Sequence, residues 1–220
     1  MAAPATPVRV GLEVGRRWVF ATALDWPGLC RRGKGEQAAL ETLLAYADRY
    51  AAAVEAGWAP GRLSVTAVSV VGRVPGNATT EFGAPGVPGP WDAEPLDAAG
   101  ADRLAGLVQA CWQAFDAVVA GAPDQLRKGP RGRGAAGPRG RGAAGRDRDP
   151  IGEHVREAER SYGRQLGIRL APGTPWPEQR EALAGRMRAR PAGTPWTVRY
   201  AATRIAWHVL DHAWEIEDKS

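Results

Sequence analysis

Histidine is scarce in this chain: three residues in 220, all in the last third. Cysteine is scarcer still, with Cys30 and Cys111 far apart and neither in a Cys-x-x-Cys pair. That spacing argues against a disulfide framework and for isolated thiols in a reducing compartment. Cys111 shares a helix face with Leu107 and Phe115 and is expected to be buried and inert. Cys30, in a turn-rich stretch, is expected at the surface without a neighbouring base. No apolar run approaches the ~20 residues needed to cross a bilayer. The opening MAAPATPVRVGLEVG lacks the basic-then-apolar pattern of a signal peptide, so a cytoplasmic protein with no membrane partner is expected.

What is present is enough for a core: 44% hydrophobic residues, with nine tryptophans. The net charge of +5 invites a nucleic-acid reading, but its distribution argues against one. Residues 126–149 hold eight Lys or Arg against two Asp, or +6, which leaves −1 for the rest of the chain. This segment also contains one octapeptide twice, GPRGRGAA at 129–136 and at 137–144. Glycine, proline and arginine at such density cannot pack a core, so a disordered loop is expected over 126–148. Without interleaved aromatics to stack on bases, it is a tolerated loop expansion before it is a nucleic-acid contact.

Two patterns divide the chain. VRVGLEV (8–14) and WVFATAL (18–24), joined by a Gly15-Arg16-Arg17 turn, alternate as a β-hairpin. A turn-rich stretch (25–35), a helix (36–57) and a third strand (63–74) complete a small α/β unit over 1–75. A Pro/Gly-rich connector follows at 76–91. Beyond it the pattern is helical. Residues 97–120 align Leu104, Leu107, Cys111 and Phe115 on one face. A second helix is expected from Asp149 as N-cap to Gly167, a third at about 177–189 and a fourth at about 195–217. The last two each follow a Gly-Thr-Pro-Trp phrase. The fold class is therefore α+β: a small α/β domain followed by an up-and-down four-helix bundle over 92–220.

The histidines fall on two of these helices. His208 and His212 are four residues apart on the last, where i and i+4 share a face, and His154 is on an earlier one. Three imidazoles make a set that binds zinc or a similar divalent ion while leaving a position for water or substrate. Zinc is the first expectation, with nickel, manganese and iron as alternatives. The competing reading is three ordinary polar histidines. Among nearby carboxylates, Glu157, three residues after His154, ranks first as a ligand-orienting or general-base candidate, ahead of Glu153, Glu159, Asp211 and Glu215. Trp207, Trp214 and Tyr162 are read as core that can wall a pocket.

The helical half, with His154 and the phrase His208-Val-Leu-Asp-His212 within RIAWHVLDHAWEIED, resembles the DinB-like (DinB/YfiT) superfamily of metal-binding four-helix bundles over about 92–218. The resemblance implies a metal held by His154, His208 and His212. It further implies a metal-dependent transferase, isomerase or hydrolase acting on a small-molecule substrate, with a low-molecular-weight thiol or a water activated at the ion. WVFATALDWPGLCRRGKGEQAALETL (18–43) more weakly resembles HicB-like domains, with no DNA-binding segment beside it. The alternative function is a non-catalytic scaffold: a bundle that dimerises, carrying a HicB-like module that engages a partner.

Overall fold

The computed structural model describes residues 7–55, 57, 65, 67–127 and 147–220. The duplicated octapeptide, and with it most of the expected disordered loop, lies outside the described residues. Strands β1 (Val8–Val14), β2 (Val19–Ala23), β3 (Cys30–Gly33) and β4 (Val68–Pro75) form one sheet in the order β3-β2-β1-β4. β1 and β2 pair antiparallel as a hairpin, β3 continues it antiparallel, and β4 joins the other edge parallel to β1. The α+β class read from the sequence holds.

Alternation decides what each face meets. Val10, Leu12 and Val14 of β1 stand opposite Ala23, Ala21 and Val19 of β2, and α1 (Glu36–Ala45) packs on this sheet, followed by α2 (Ala47–Glu55), whose Tyr50 and Val54 join the same core. Gly11 and Glu13 face the other way, where Trp91 lies against Gly11 and the Glu13 carboxylate accepts from the backbone amides of Gly86 and Val87. The expected connector 76–91 is thus a cover for the second sheet face. It contains a short helix, α3 (Ala78–Phe82), capped by Asn77, and a 3-10 turn at Pro90–Ala93.

Three expectations change in the α/β part. The stretch 25–35 contains a strand, β3, whose two arginines carry no alternation signal and whose extension comes from pairing with β2. The single helix expected over 36–57 is two, broken at Tyr46, because α1 packs on β2 and β3 whereas α2 turns to the helical half. Cys30 is fully buried rather than at the surface. It stands opposite Thr22, whose hydroxyl donates to Sγ at 3.1 Å, and burial pushes its thiol up to about 12. Cys111 is buried as expected, with its thiol also raised by burial.

Two glycines are required by geometry. Gly28 takes φ +99° in the β2–β3 turn, a conformation that L side chains avoid. That turn is tied down by Tyr50, whose buried hydroxyl donates to the Pro27 carbonyl at 2.9 Å. Gly33 closes β3 against α1, and a Cβ there would lie 2.2 Å from the Ala39 nitrogen and 2.3 Å from the Ala38 carbonyl carbon. Neither atom can swing away, so Gly33→Ala is expected to destabilise the fold by about 1–3 kcal/mol, the cost of overpacking. A urea titration of both proteins checks this, read as a lower midpoint with unchanged slope.

The helical half comprises α4 (Ala98–Gly121), α5 (Arg148–Gln165), α6 (Trp176–Arg188) and α7 (Val198–Lys219). α4 and α5 each pack on both α6 and α7. Cross-contacts give the directions. Arg199 bonds the carbonyls of Glu94 and Pro95 at the start of α4, and the Arg127 amide bonds the Lys219 carbonyl near the other end, so α4 and α7 run parallel. Arg188 reaches Asp102 while Arg180 reaches Asp116, so α4 and α6 are antiparallel. His154 meets His208 and Tyr162 meets Arg204, so α5 and α7 are antiparallel too. The helices therefore run up, down, down, up, which departs from the simple up-and-down alternation expected: α5 and α6 both run antiparallel to α4 and α7.

α4 is the one described helix long and apolar enough to cross a bilayer, but half of that stretch is buried in this fold. Leu104, Leu107, Val108, Cys111 and Phe115 belong to the hydrophobic core, and that core is continuous from Val10 and Leu12 of the sheet to Ile205 and Ile216 of α7. The segments read as two domains thus share one core. The second Gly-Thr-Pro-Trp phrase does not cap α7. The Thr197 side chain does, accepting from the Tyr200 amide at 3.3 Å.

Asp92, in the 3-10 turn, is 8% exposed and accepts from the Gly89 amide at 2.7 Å. Burial raises its carboxyl to about 6. A raised acid binds its proton in the native state while the unfolded carboxyl has released it, so stability falls as pH rises from ~4 to ~6. At ~1.4 kcal/mol per pKa unit, the wild type is expected to lose up to roughly 3 kcal/mol across that window relative to Asp92→Asn. Thermal melts of both proteins from pH 4 to pH 7 measure the difference.

Candidate metal centre

The length of α7 comes from its packing. Ala201, Ile205, Val209 and Ala213 repeat every four residues and are buried, as are Ala202, Ala206 and Leu210 on the adjacent row. Burying two rows against α4 and the sheet leaves a third row, Arg204, His208 and His212, toward α5. The partner helix α5 has few apolar residues; Ile151, Val155 and, just past its end, Leu166 are fully buried, and it presents His154 beside Ile151 and Val155.

The three histidines converge. Their candidate ligand nitrogens all lie within 4.8 Å of one another. The ring centroids are 5.0 Å apart for His154 and His208, 5.0 Å for His154 and His212, and 4.7 Å for His208 and His212. His208 is 8% exposed and the other two are half-buried. The Nε2 atoms of His154 and His208 face each other at 3.2 Å. Two nitrogens each ~2.05 Å from a zinc ion at a near-tetrahedral angle lie about 3.3 Å apart. The spacing therefore fits two ligands of one ion. It also fits one N–H donated between neutral imidazoles.

His212 is oriented from behind. Its Nδ1 meets Glu215 Oε2 at 3.0 Å, and the other oxygen of Glu215 is held by the Lys219 ammonium. The bond to His212 is the first of the causes that bring the Glu215 carboxyl down to about 2. An imidazole that gives its Nδ1 proton to a carboxylate keeps the Nε2 lone pair for a ligand role, which is the usual arrangement behind a metal-bound histidine. Tyr162 and Trp207 wall the cluster, with ring centroids 5.8 Å and 6.2 Å from that of His208. Trp214 lies elsewhere, stacked with Tyr46 and Arg31.

The carboxylates singled out by sequence are distributed differently from their ranking. Glu157 is exposed and paired with Arg160 at 2.7 Å. Glu153 pairs with Arg156, and Asp211 pairs with Arg31. Glu159 is fully buried, held by Trp176 Nε1 at 2.6 Å and by Arg180 at 3.3 Å, and burial raises its carboxyl. Glu215, three residues after His212, is in contact with that histidine. The same i+3 spacing that favoured Glu157 holds for Glu215, with the opposite outcome. Sequence reasoning also passed over Arg204, 9% exposed and stacked near Tyr162 and Trp207.

Comparisons with protein-family models, with curated proteins and with solved structures yield no match to this chain.

Proposed function

We propose that this protein holds a divalent metal ion, zinc before nickel, manganese or iron, on His154, His208 and His212, and uses it to activate a small thiol or a water toward a small-molecule substrate. The observation that carries the reading is the convergence of three imidazoles from two helices within 4.8 Å. The carboxylate behind His212 supports it, because it presents the ring as a donor of electrons rather than protons.

A structural zinc takes four protein ligands, whereas a catalytic one takes three and keeps a position open. Among the described residues the cluster has three. This favours an enzyme over the rival scaffold reading, and it agrees with the DinB-like resemblance of the helical half. When bound, such an ion lowers the pKa of a coordinated water or thiol toward neutrality. The chain's own contribution is to bring the three imidazoles together, to fix His212 through Glu215, and to wall the cluster with Tyr162 and Trp207.

The test is metal content. Protein purified without chelator and analysed by elemental mass spectrometry is expected to carry near one divalent ion per chain. Native, folded protein that takes up no ion on incubation with zinc, nickel or manganese sinks the reading.

A further inference from the structure

The row on α7 that carries the histidines continues toward its N-terminus through Arg204 to Tyr200, each step four residues. At that end lies a cavity between α7 and the second face of the sheet, lined by Tyr200, Thr203 and Arg204 from the helix and by Thr22, Leu24 and Trp91 opposite. Arg204 sits between this cavity and the histidines. Its guanidinium is 4.9 Å from the Trp207 ring centroid and 5.5 Å from that of Tyr162, the two rings that wall His208.

Arg204 is 9% exposed, yet it forms no salt bridge among the described residues. Its Nη2 has a long 3.4 Å contact to the Tyr162 hydroxyl, and its Nη1 is buried with no hydrogen-bond partner. A buried cation without a counter-charge is costly, so such a group marks a place where an anion belongs. The cavity's own carboxylates are engaged elsewhere. Glu13 accepts from the Gly86 and Val87 amides and from Thr80, Glu94 is paired with Arg9, and Asp92 accepts from the Gly89 amide.

From this arrangement we propose that the cavity beneath Arg204 is a binding subsite for the carboxylate of a small organic acid. A guanidinium fork matches a carboxylate edge with two parallel N–H bonds, and the Tyr200 and Thr203 hydroxyls on the same wall add donors. Trp91 and Leu24 supply an apolar wall for the carbon skeleton. Four residues along a helix is a rise of ~6 Å. The cavity therefore begins about one helical turn from His208, and none of the three histidines lines it, so the subsite is separate from the proposed metal centre and does not rest on it.

The experiment titrates the full chain, zinc-loaded and chelator-treated in parallel, with propionate and with the neutral isostere propionamide. Binding is read by calorimetry and by tryptophan fluorescence. The wild type is expected to prefer propionate in both forms. Arg204→Gln should bind propionate at least about tenfold more weakly, the loss expected for a charge-assisted bond. Arg204→Lys, which keeps the charge without the fork, should fall in between. Circular dichroism confirms that the variants compared are folded, and the propionate preference of the wild type is read without any variant. Equal binding of amide and acid by the wild type overturns the proposal, as does a folded variant that retains the full preference. Propionate binding that disappears on chelation places the anion on the ion instead and overturns it too. Arg204-dependent binding in a chain that takes up no metal leaves the subsite standing and removes the metal reading.

Discussion

In the double variant His208→Ala, His212→Ala, metal content is expected to drop from near one ion per chain to near zero, with the fold retained. Both side chains stand on the α5-facing row of α7 rather than in the rows that pack on α4 and the sheet, so their truncation removes ligands before it removes core. One remaining imidazole, His154, cannot hold an ion against water. Zinc at a hundredfold excess over its dissociation constant stabilises a native state by ~2.7 kcal/mol. For a chain of this size that is a rise of roughly 5–10 °C in melting temperature. The wild type is expected to show this rise and the double variant to show none.

The same site predicts a pH dependence for metal uptake. Each imidazole must lose its proton before it can ligate, and an unperturbed histidine titrates near pH ~6.5. Competition from up to three protons means that zinc affinity should fall steeply, by more than tenfold per unit, below about pH 6. Equilibrium dialysis at pH 7.5, 6.5 and 5.5 measures it. A pH-independent affinity would mean that the histidines are not the ligands. Glu215→Gln should retain the ion with affinity reduced by roughly 10–100-fold, because it weakens the orientation of His212 without removing a ligand.

How much of this was legible in the sequence depended on whether the deciding contact was local. The β1–β2 hairpin, the apolar face of α4 and the histidine row of α7 all follow from periodicity within one element. The shared face of His208 and His212 is a property of any helix. β3 was not legible, because Cys-Arg-Arg-Gly has no alternation and becomes a strand only through pairing with β2. The parallel placement of β4 against β1 was equally hidden, being set by a crossover through α1 and α2. The buried state of Cys30 depends on Phe20 and Trp207, the latter far along the chain.

The site divides along the same line. Glu157 and Glu215 each stand three residues after a histidine, and sequence spacing does not separate them. What does is competition. Arg160 is three residues beyond Glu157 and takes its carboxylate, whereas Lys219 beyond Glu215 takes one oxygen and leaves the other for His212. Arg204 gave no sequence signal either. One arginine in a chain with 29 basic residues is unremarkable until a fold buries it without a counter-ion.

Arg180→Ala is expected to destabilise the protein by about 3–5 kcal/mol, the cost of leaving a buried partner charge uncompensated. For a chain of this size that is a fall in melting temperature of roughly 8–15 °C. Arg180 reaches the fully buried Glu159 at 3.3 Å and both oxygens of Asp116 at 2.8 and 2.9 Å, and its guanidinium lies 4.2 Å from the Trp176 ring centroid. It thereby joins α6 to α5 and α4 with one side chain. Without it, Glu159 keeps the Trp176 N–H but no cation, and its carboxyl, already raised by burial, rises further. The sign follows: a raised acid is stabilised by its proton, so Arg180→Ala should regain stability as pH falls toward 4 and lose it as pH rises. Glu159→Gln in the same background removes the charge while its amide oxygen still accepts from Trp176. The double variant should therefore be more stable than Arg180→Ala alone at pH 7, and nearly flat in pH where the single variant is steep. Denaturant melts of the three proteins at pH 5 and pH 7 decide it. Additive effects of the two substitutions would show that Arg180 and Glu159 act separately, and coupling of the predicted sign would show that they act as one charge pair between α5 and α6.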